Sequence, residues 1–268
     1  MKVMLGLLTG LAVYAPAHAQ LAAPNEAGVA MGHVHLNVSD VEAQRKFWIE
    51  QFAAVPLKKE GLQGVKIPGM LILFRHQEPT GSNEGNMMDH FGLKVTNTGE
   101  LVKKCREAGY QIQREFKGSE GFPNAYVIGP DGVRVELQED ATQTGPPMAY
   151  HLHFMNHAGD QLTLRDWYAK TFGATVKKRG PHDAADIPGI DLTFGVTKNQ
   201  LTSGTKGRSV DHIGFEVKNL EAFCKNLEAN GVKLDVPYKK VPAAGIAIAF
   251  LTDPFGTYIE LTEGLDQY

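Results

Sequence analysis

The chain has 268 residues, 43% of them hydrophobic and 21% charged, a balance that suits a globular protein with a sizeable core. Its formal net charge is -3. No run of Lys or Arg forms the basic stripe that a nucleic-acid backbone requires, so nucleic acid is excluded as an expected partner.

The first residues, MKVMLGLLTGLAVYAPAHAQ, carry Lys2, an apolar run to Val13 and the small-x-small triplet Ala17-His18-Ala19 before Gln20. This is the pattern of a cleaved secretory signal over residues 1–19. A membrane anchor needs about 20 apolar residues, and Pro16 interrupts this run. Export to a bacterial periplasm or the medium is expected, with no membrane association after cleavage.

The segment "HVHLNV" (33–38) alternates, so His33, His35 and Asn37 share one strand face and Val34, Leu36 and Val38 the other. "VEAQRKFWIEQF" (41–52) follows as an amphipathic helix, with Phe47 and Trp48 as core. Short strands come next, including "IPGMLILF" (67–74), and then the turn "TGSNEG" (80–85). In "DHFGLKV" (89–95) His90, Gly92 and Lys94 oppose Phe91, Leu93 and Val95. A second helix at "ELVKKCREAG" (100–109) leads to further strands, the last of which sets Arg134, Glu136 and Gln138 against Val133, Val135 and Leu137.

Beyond the proline-containing stretch "ATQTGPPMA" (141–149) the pattern returns. "HLHF" (151–154) repeats "HVHL", pairing His33 with His151 and His35 with His153. "IPGIDLTF" (187–194) repeats 67–74, "VDHIGFEVKNLEAFCKNLEANGVKL" (210–234) repeats 88–112, and "DPFGTYIELTE" (253–263) repeats 129–139. Helices are expected at "LRDWYAKTF" (164–172) and "LEAFCKNLEANG" (220–231), with Trp167 and Tyr168 at positions equivalent to Phe47 and Trp48. The only cysteines, Cys105 and Cys224, lie in helices at unmatched positions, which predicts buried thiols and no disulfide framework.

Four β-α-β-β-β units therefore fit between about Gly28 and Gly264. With the joint at 141–149, adjacent units are expected to pair into two domains, 28–142 and 147–265. On that pairing His33, His90 and Glu136 form one polar group and His151, His212 and Glu260 another. Six of the 10 histidines occupy repeat-related strand positions, which points to a site rather than to scatter. Two histidines and a carboxylate leave coordination positions open on a divalent first-row metal, Fe2+ or Mn2+ by preference, with Zn2+, Ni2+ or Co2+ as other fits. His35 and His153, two residues along on the same strand faces, are placed either to act as general bases or to support or stack beside the site from deeper in the cleft.

On D-H-x-G-[LF]-x-V, on P-x-G-x-x-[IV]-E-L at unit ends and on the βαβββ order, the chain resembles the vicinal oxygen chelate (VOC) superfamily. That superfamily includes glyoxalase I, extradiol dioxygenases, fosfomycin-resistance proteins and bleomycin-binding proteins. The resemblance implies an α+β fold of four βαβββ modules paired into two half-barrel domains. It implies the two triads above as metal ligands and a small, oxygen-rich substrate chelated to the metal. Lyase, isomerase or oxygenase chemistry would follow, in a monomer or homodimer. A non-catalytic protein that sequesters a drug or metabolite is the alternative. Extradiol enzymes carry a tyrosine ten residues before the metal glutamate, which Tyr126 matches for Glu136, whereas Phe250 stands before Glu260. In glyoxalase I a further protein ligand stands four residues past the glycine of the "IPG" turn, where this chain has Leu73 and Thr193.

Overall fold

The computed structural model describes residues 21–57, 59, 61–202 and 204–268. The expected signal at 1–19 lies outside the described residues. Four modules follow one another, each a strand, a helix and three strands. The first comprises β1 (Val29–Val38), α1 (Val41–Phe52), β2 (Val55–Pro56), β3 (Gly64–Ile67) and β4 (Met70–His76). β5 (Met88–Val95), α2 (Thr98–Glu107), β6 (Gln111–Lys117), β7 (Pro123–Ile128) and β8 (Arg134–Glu139) make the second. In the third are β9 (Met148–Asn156), α3 (Asp160–Phe172), β10 (Thr175–Arg179), β11 (His182–Ile187) and β12 (Ile190–Val196). The fourth holds β13 (Val210–Val217), α4 (Leu220–Ala229), β14 (Leu234–Val241), β15 (Ile246–Thr252) and β16 (Tyr258–Glu263).

Local chemistry starts and stops the helices where it should. The Asp40 carboxylate accepts from the backbone N–H groups of Glu42 and Ala43 at the start of α1, and Asn97 caps α2 in the same way at Glu100. α3 ends at Gly173, whose left-handed backbone suits a residue without Cβ.

The modules build two eight-stranded sheets of identical design, but adjacent modules do not pair as the repeat suggested. One sheet runs β14-β15-β16-β13-β1-β4-β3-β2 and joins the first module to the last; the other runs β10-β11-β12-β9-β5-β8-β7-β6 and joins the two middle modules. Hence 28–142 and 147–265 do not each close a sheet of their own. The connections supply the physical reason. Residues 140–147 form the shortest link between modules, just enough to turn from β8 into β9, which lies antiparallel to β5 in the same sheet. The longer links at 77–87 and 197–209 cross from one sheet to the other and hydrogen-bond to each other, with Thr80 N–H donating to the Gly207 carbonyl and Arg208 Nη1 to that of Ser82.

Strand alternation is as the sequence predicts. Val34, Leu36 and Val38 enter one continuous core with Phe91, Leu93, Val135, Leu137, Ile213 and Phe215. Phe47, Trp48 and Tyr168 are fully buried on the helices, while Trp167 is partly buried against the same core. Contacts such as Phe172 with Phe215, at 4.9 Å between ring centroids, fasten α3 of the middle pair to β13 of the outer pair. Cys105 and Cys224 are buried free thiols. Among the described residues, no helix is long and apolar enough to cross a membrane.

Candidate metal centres

The crossed pairing regroups the predicted ligands. Within each sheet the first strands of two modules run antiparallel, setting His35 opposite His212 and His33 opposite Gly214 in one sheet, and His153 opposite His90 and His151 opposite Gly92 in the other. Parallel neighbours then bring the glutamates alongside, Glu260 beside Gly214 and Glu136 beside Gly92. Two clusters result, His33–His35–His212–Glu260 and His90–Glu136–His151–His153, and in each the four candidate donor atoms lie within 4.8 Å of one another. The six residues expected as ligands are all brought into these clusters, but His33 and His151 have exchanged places. His35 and His153, expected as neighbouring bases, stand among the donors.

The glycine of D-H-x-G has a steric task. A Cβ at Gly92 would lie 2.2 Å from Cε1 of His151, and one at Gly214 would lie 2.0 Å from Cε1 of His33. Each glycine leaves the space in which the histidine of the neighbouring strand lies over the sheet. The aspartate before each histidine is bulged out of the ladder, since pairing shifts between Met88 and His90 and between Val210 and His212. A bulge puts consecutive side chains within reach of each other. His90 Nδ1 donates to Asp89 at 2.5 Å, and His212 Nδ1 to Asp211 at 2.7 Å. The turns before these strands hold the aspartates in turn, through Gly85 N–H to Asp89 and Gly207 N–H to Asp211. With Nδ1 occupied, Nε2 faces the glutamate, at 2.7 Å from Glu136 in one cluster and 2.9 Å from Glu260 in the other.

Charges follow from these contacts. Burial alone would depress the imidazole of His90, but the Asp89 and Glu136 carboxylates outweigh it and raise its pKa; Asp211 and Glu260 do the same for His212. Although burial disfavours their charge, Glu136 and Glu260 are held well below the usual carboxylate range by the histidines they touch. His151 is driven down to about 4, first by burial and then by the Arg179 charge, and burial likewise keeps His33, His35 and His153 neutral. Buried nitrogens without a hydrogen-bond partner remain at His33 Nδ1, His35 Nδ1 and His153 Nε2. Three imidazoles, a carboxylate and unpartnered ring nitrogens within one small volume fit a divalent first-row metal.

The two clusters differ in their walls. A cavity of ≈ 310 Å³ opens on the middle-module cluster, lined among others by Asn124, Tyr126, Arg134, Gln138, Arg179 and Thr193. Tyr126 lies opposite Glu136 in the ladder, with its ring 5.1 Å from that of His90 and the Arg134 guanidinium 3.8 Å from its own centroid. Burial and then the Glu136 charge raise the Tyr126 hydroxyl, so it stays protonated. Arg179 is buried, donating from Nε to Glu120, from Nη1 to Thr193 and from Nη2 to Gln138.

Arg179, Asn124 and His182 were missed by sequence reasoning. Arg179 sits on a strand with no clear repeat, and His182 has no repeat partner, although its ring comes within 5.7 Å of that of His153. Asp89 and Asp211 could have been found, since each immediately precedes a repeated histidine. Leu73 and Thr193, at the position where glyoxalase I carries a further ligand, pair with His35 and His153 in the parallel ladders, so a histidine of the adjoining strand stands beside each.

Comparison with known proteins agrees with this architecture. The model of the Glyoxalase/Bleomycin resistance protein/Dioxygenase superfamily matches residues 152–261. The lactoylglutathione lyases of Escherichia coli O157:H7 and Shigella flexneri are each 27% identical over 130 residues, covering 43% of this chain and 93% of theirs. Glyoxalase I from Zea mays superposes with a TM-score of 0.66 at 17% identity over 89% of this chain and 94% of its own, a likeness of fold. Residues 152–261 thus match the glyoxalase, or VOC, superfamily by sequence, and the described chain as a whole has the glyoxalase-like fold.

Proposed function

We propose that the chain is a divalent-metal-dependent VOC enzyme and that its reaction takes place at the middle-module cluster. The observation that carries this reading is the cavity of ≈ 310 Å³ that fronts this donor set and is lined by Tyr126, Arg134 and Arg179. A divalent ion held there, Fe2+ or Mn2+ by preference, would polarise the oxygens of a small chelating substrate. His90, His151 and Glu136 are the residues to hold it. His153, neutral and with Nε2 unpartnered, is placed to accept a substrate proton. The protonated Tyr126 hydroxyl can donate to a substrate oxygen, and Arg134 and Arg179 carry positive charge into the wall. Proton transfer of lyase or isomerase type is the reaction class this set serves best, and the lactoylglutathione lyase relatives support it. Oxygenase chemistry at the same residues is the next candidate.

One observation favours a non-catalytic binding protein instead: the His90 and Glu136 side chains already satisfy each other without metal. Incubating the protein, loaded in turn with Fe2+, Mn2+, Zn2+ and Ni2+, with lactoylglutathione and with catechols separates the two. Turnover that Glu136→Gln abolishes supports the enzyme. Ligand binding by the metal-free protein, with no metal uptake at all, supports the binder. We further propose export to the periplasm or medium, supported by the leader pattern at 1–19 alone, and a working unit of one chain or a homodimer, since one chain supplies all four donors of each cluster.

A further inference from the structure

We propose that the outer cluster, His33–His35–His212–Glu260, is a structural metal site that staples the first module to the last, and that it takes no substrate. The inference rests on the metal reading above and divides the labour between the two sites. Where the middle cluster has Asp191 and Thr193 beside His151 and His153, the outer one has Leu71 and Leu73 beside His33 and His35. Those two leucines belong to a separate apolar cluster with Leu21, Leu57 and Leu265, against which Tyr268 packs.

The two ends of the described chain thus pack apolar side chains on the face that in the other sheet lines the cavity. Glu216 ties the C-terminal end down, its carboxylate accepting from the N–H groups of Gly264 and Leu265, and Lys59 lies 4.4 Å from the ring centroid of Tyr268. Across the site Phe250 stands opposite Glu260 where Tyr126 stands opposite Glu136, and Ile248 opposite Thr262 where Asn124 stands opposite Gln138. Phe250 stacks on Tyr258 at 4.9 Å, and both rings abut His212. Leucine, isoleucine and phenylalanine thus stand at the outer cluster where aspartate, threonine, asparagine and tyrosine stand at the middle one.

The donors themselves are complete. Four lie within 4.8 Å of one another, enough for the closed tetrahedral arrangement of structural zinc sites, and His33 Nε2 and His212 Nε2 both face Glu260. They come from β1 at one end of the chain and from β13 and β16 at the other. An ion here closes nearly the whole chain into a loop, the case in which a crosslink removes most conformational entropy from the unfolded state.

The test is release of Zn2+ from the loaded full chain into excess chelator, followed with a zinc dye alongside the melting temperature. Two ions per chain are expected, one leaving at least about tenfold more slowly than the other, a difference of about 1.4 kcal/mol in barrier. The slow ion should persist in Gly92→Ala, vanish in Gly214→Ala, and carry most of the metal-dependent rise in melting temperature. The wild-type release curve needs no variant, so misfolding of either one leaves the test intact. Ions leaving together, a melting temperature that follows the fast ion, or zinc in the middle cluster alone would each overturn the structural role while leaving the proposed function standing. No zinc in either cluster would overturn both.

Discussion

At the scale of single residues, glycine and aspartate decide where the histidines lie. A Cβ at Gly92 or Gly214 falls inside the ring of the neighbouring strand's histidine. Gly92→Ala is therefore expected to cost the middle cluster its ion and Gly214→Ala the outer one, each leaving the other ion bound, as metal content per chain would show. Asp89→Asn keeps the shape but loses the charge that fixes the His90 ring. Metal affinity at the middle cluster should fall by about 10–100-fold, measured by competition with a chelator. These residues were legible in the sequence as the repeated D-H-x-G, and strand alternation put the histidines and glutamates on shared faces. The steric reason for the glycine was not legible, because the atom it makes room for belongs to another module.

At the scale of elements, the helices hold the two sheets together. Phe172 on α3 packs on Phe215 of β13, and its loss would open a cavity between the sheets. Phe172→Ala is expected to cost about 3–5 kcal/mol, read from the midpoint of denaturant unfolding. The C-terminal segment hangs on Glu216, whose carboxyl is raised to about 7 by burial despite the hydrogen bonds it accepts. The folded state binds this proton more tightly than the unfolded one, so the contribution is full below the ordinary carboxyl value of 4.5 and is lost as pH rises through about 7. Between pH 5 and pH 8 the wild type should lose melting temperature relative to Glu216→Gln, and parallel curves would contradict this. The order of elements could be read from the sequence because every apolar face has strand or helix period. Arg179 could not, because it closes the polar wall from β10 and gains its role only from Glu120, Gln138 and Thr193, which three other segments bring to it.

At the scale of the whole molecule, the fold is two copies of one sheet made from four copies of one module, interleaved along the chain. Sequence comparison reveals the four modules, because each carries its own signature. It does not reveal which pair, since every first strand looks able to join any other. Link length settles that, the short 140–147 joining partners within a sheet and the longer links crossing between sheets. Each donor cluster therefore draws residues from both halves of the sequence, and the two halves together own both clusters.

The most direct test of this arrangement is the metal content of double variants. His90→Ala with His151→Ala should cost one ion per chain, because both residues serve the middle cluster, while His90→Ala with His33→Ala should cost two. If His90 and His33 instead cost one ion between them and His90 and His151 cost two, the crossed pairing of modules is wrong.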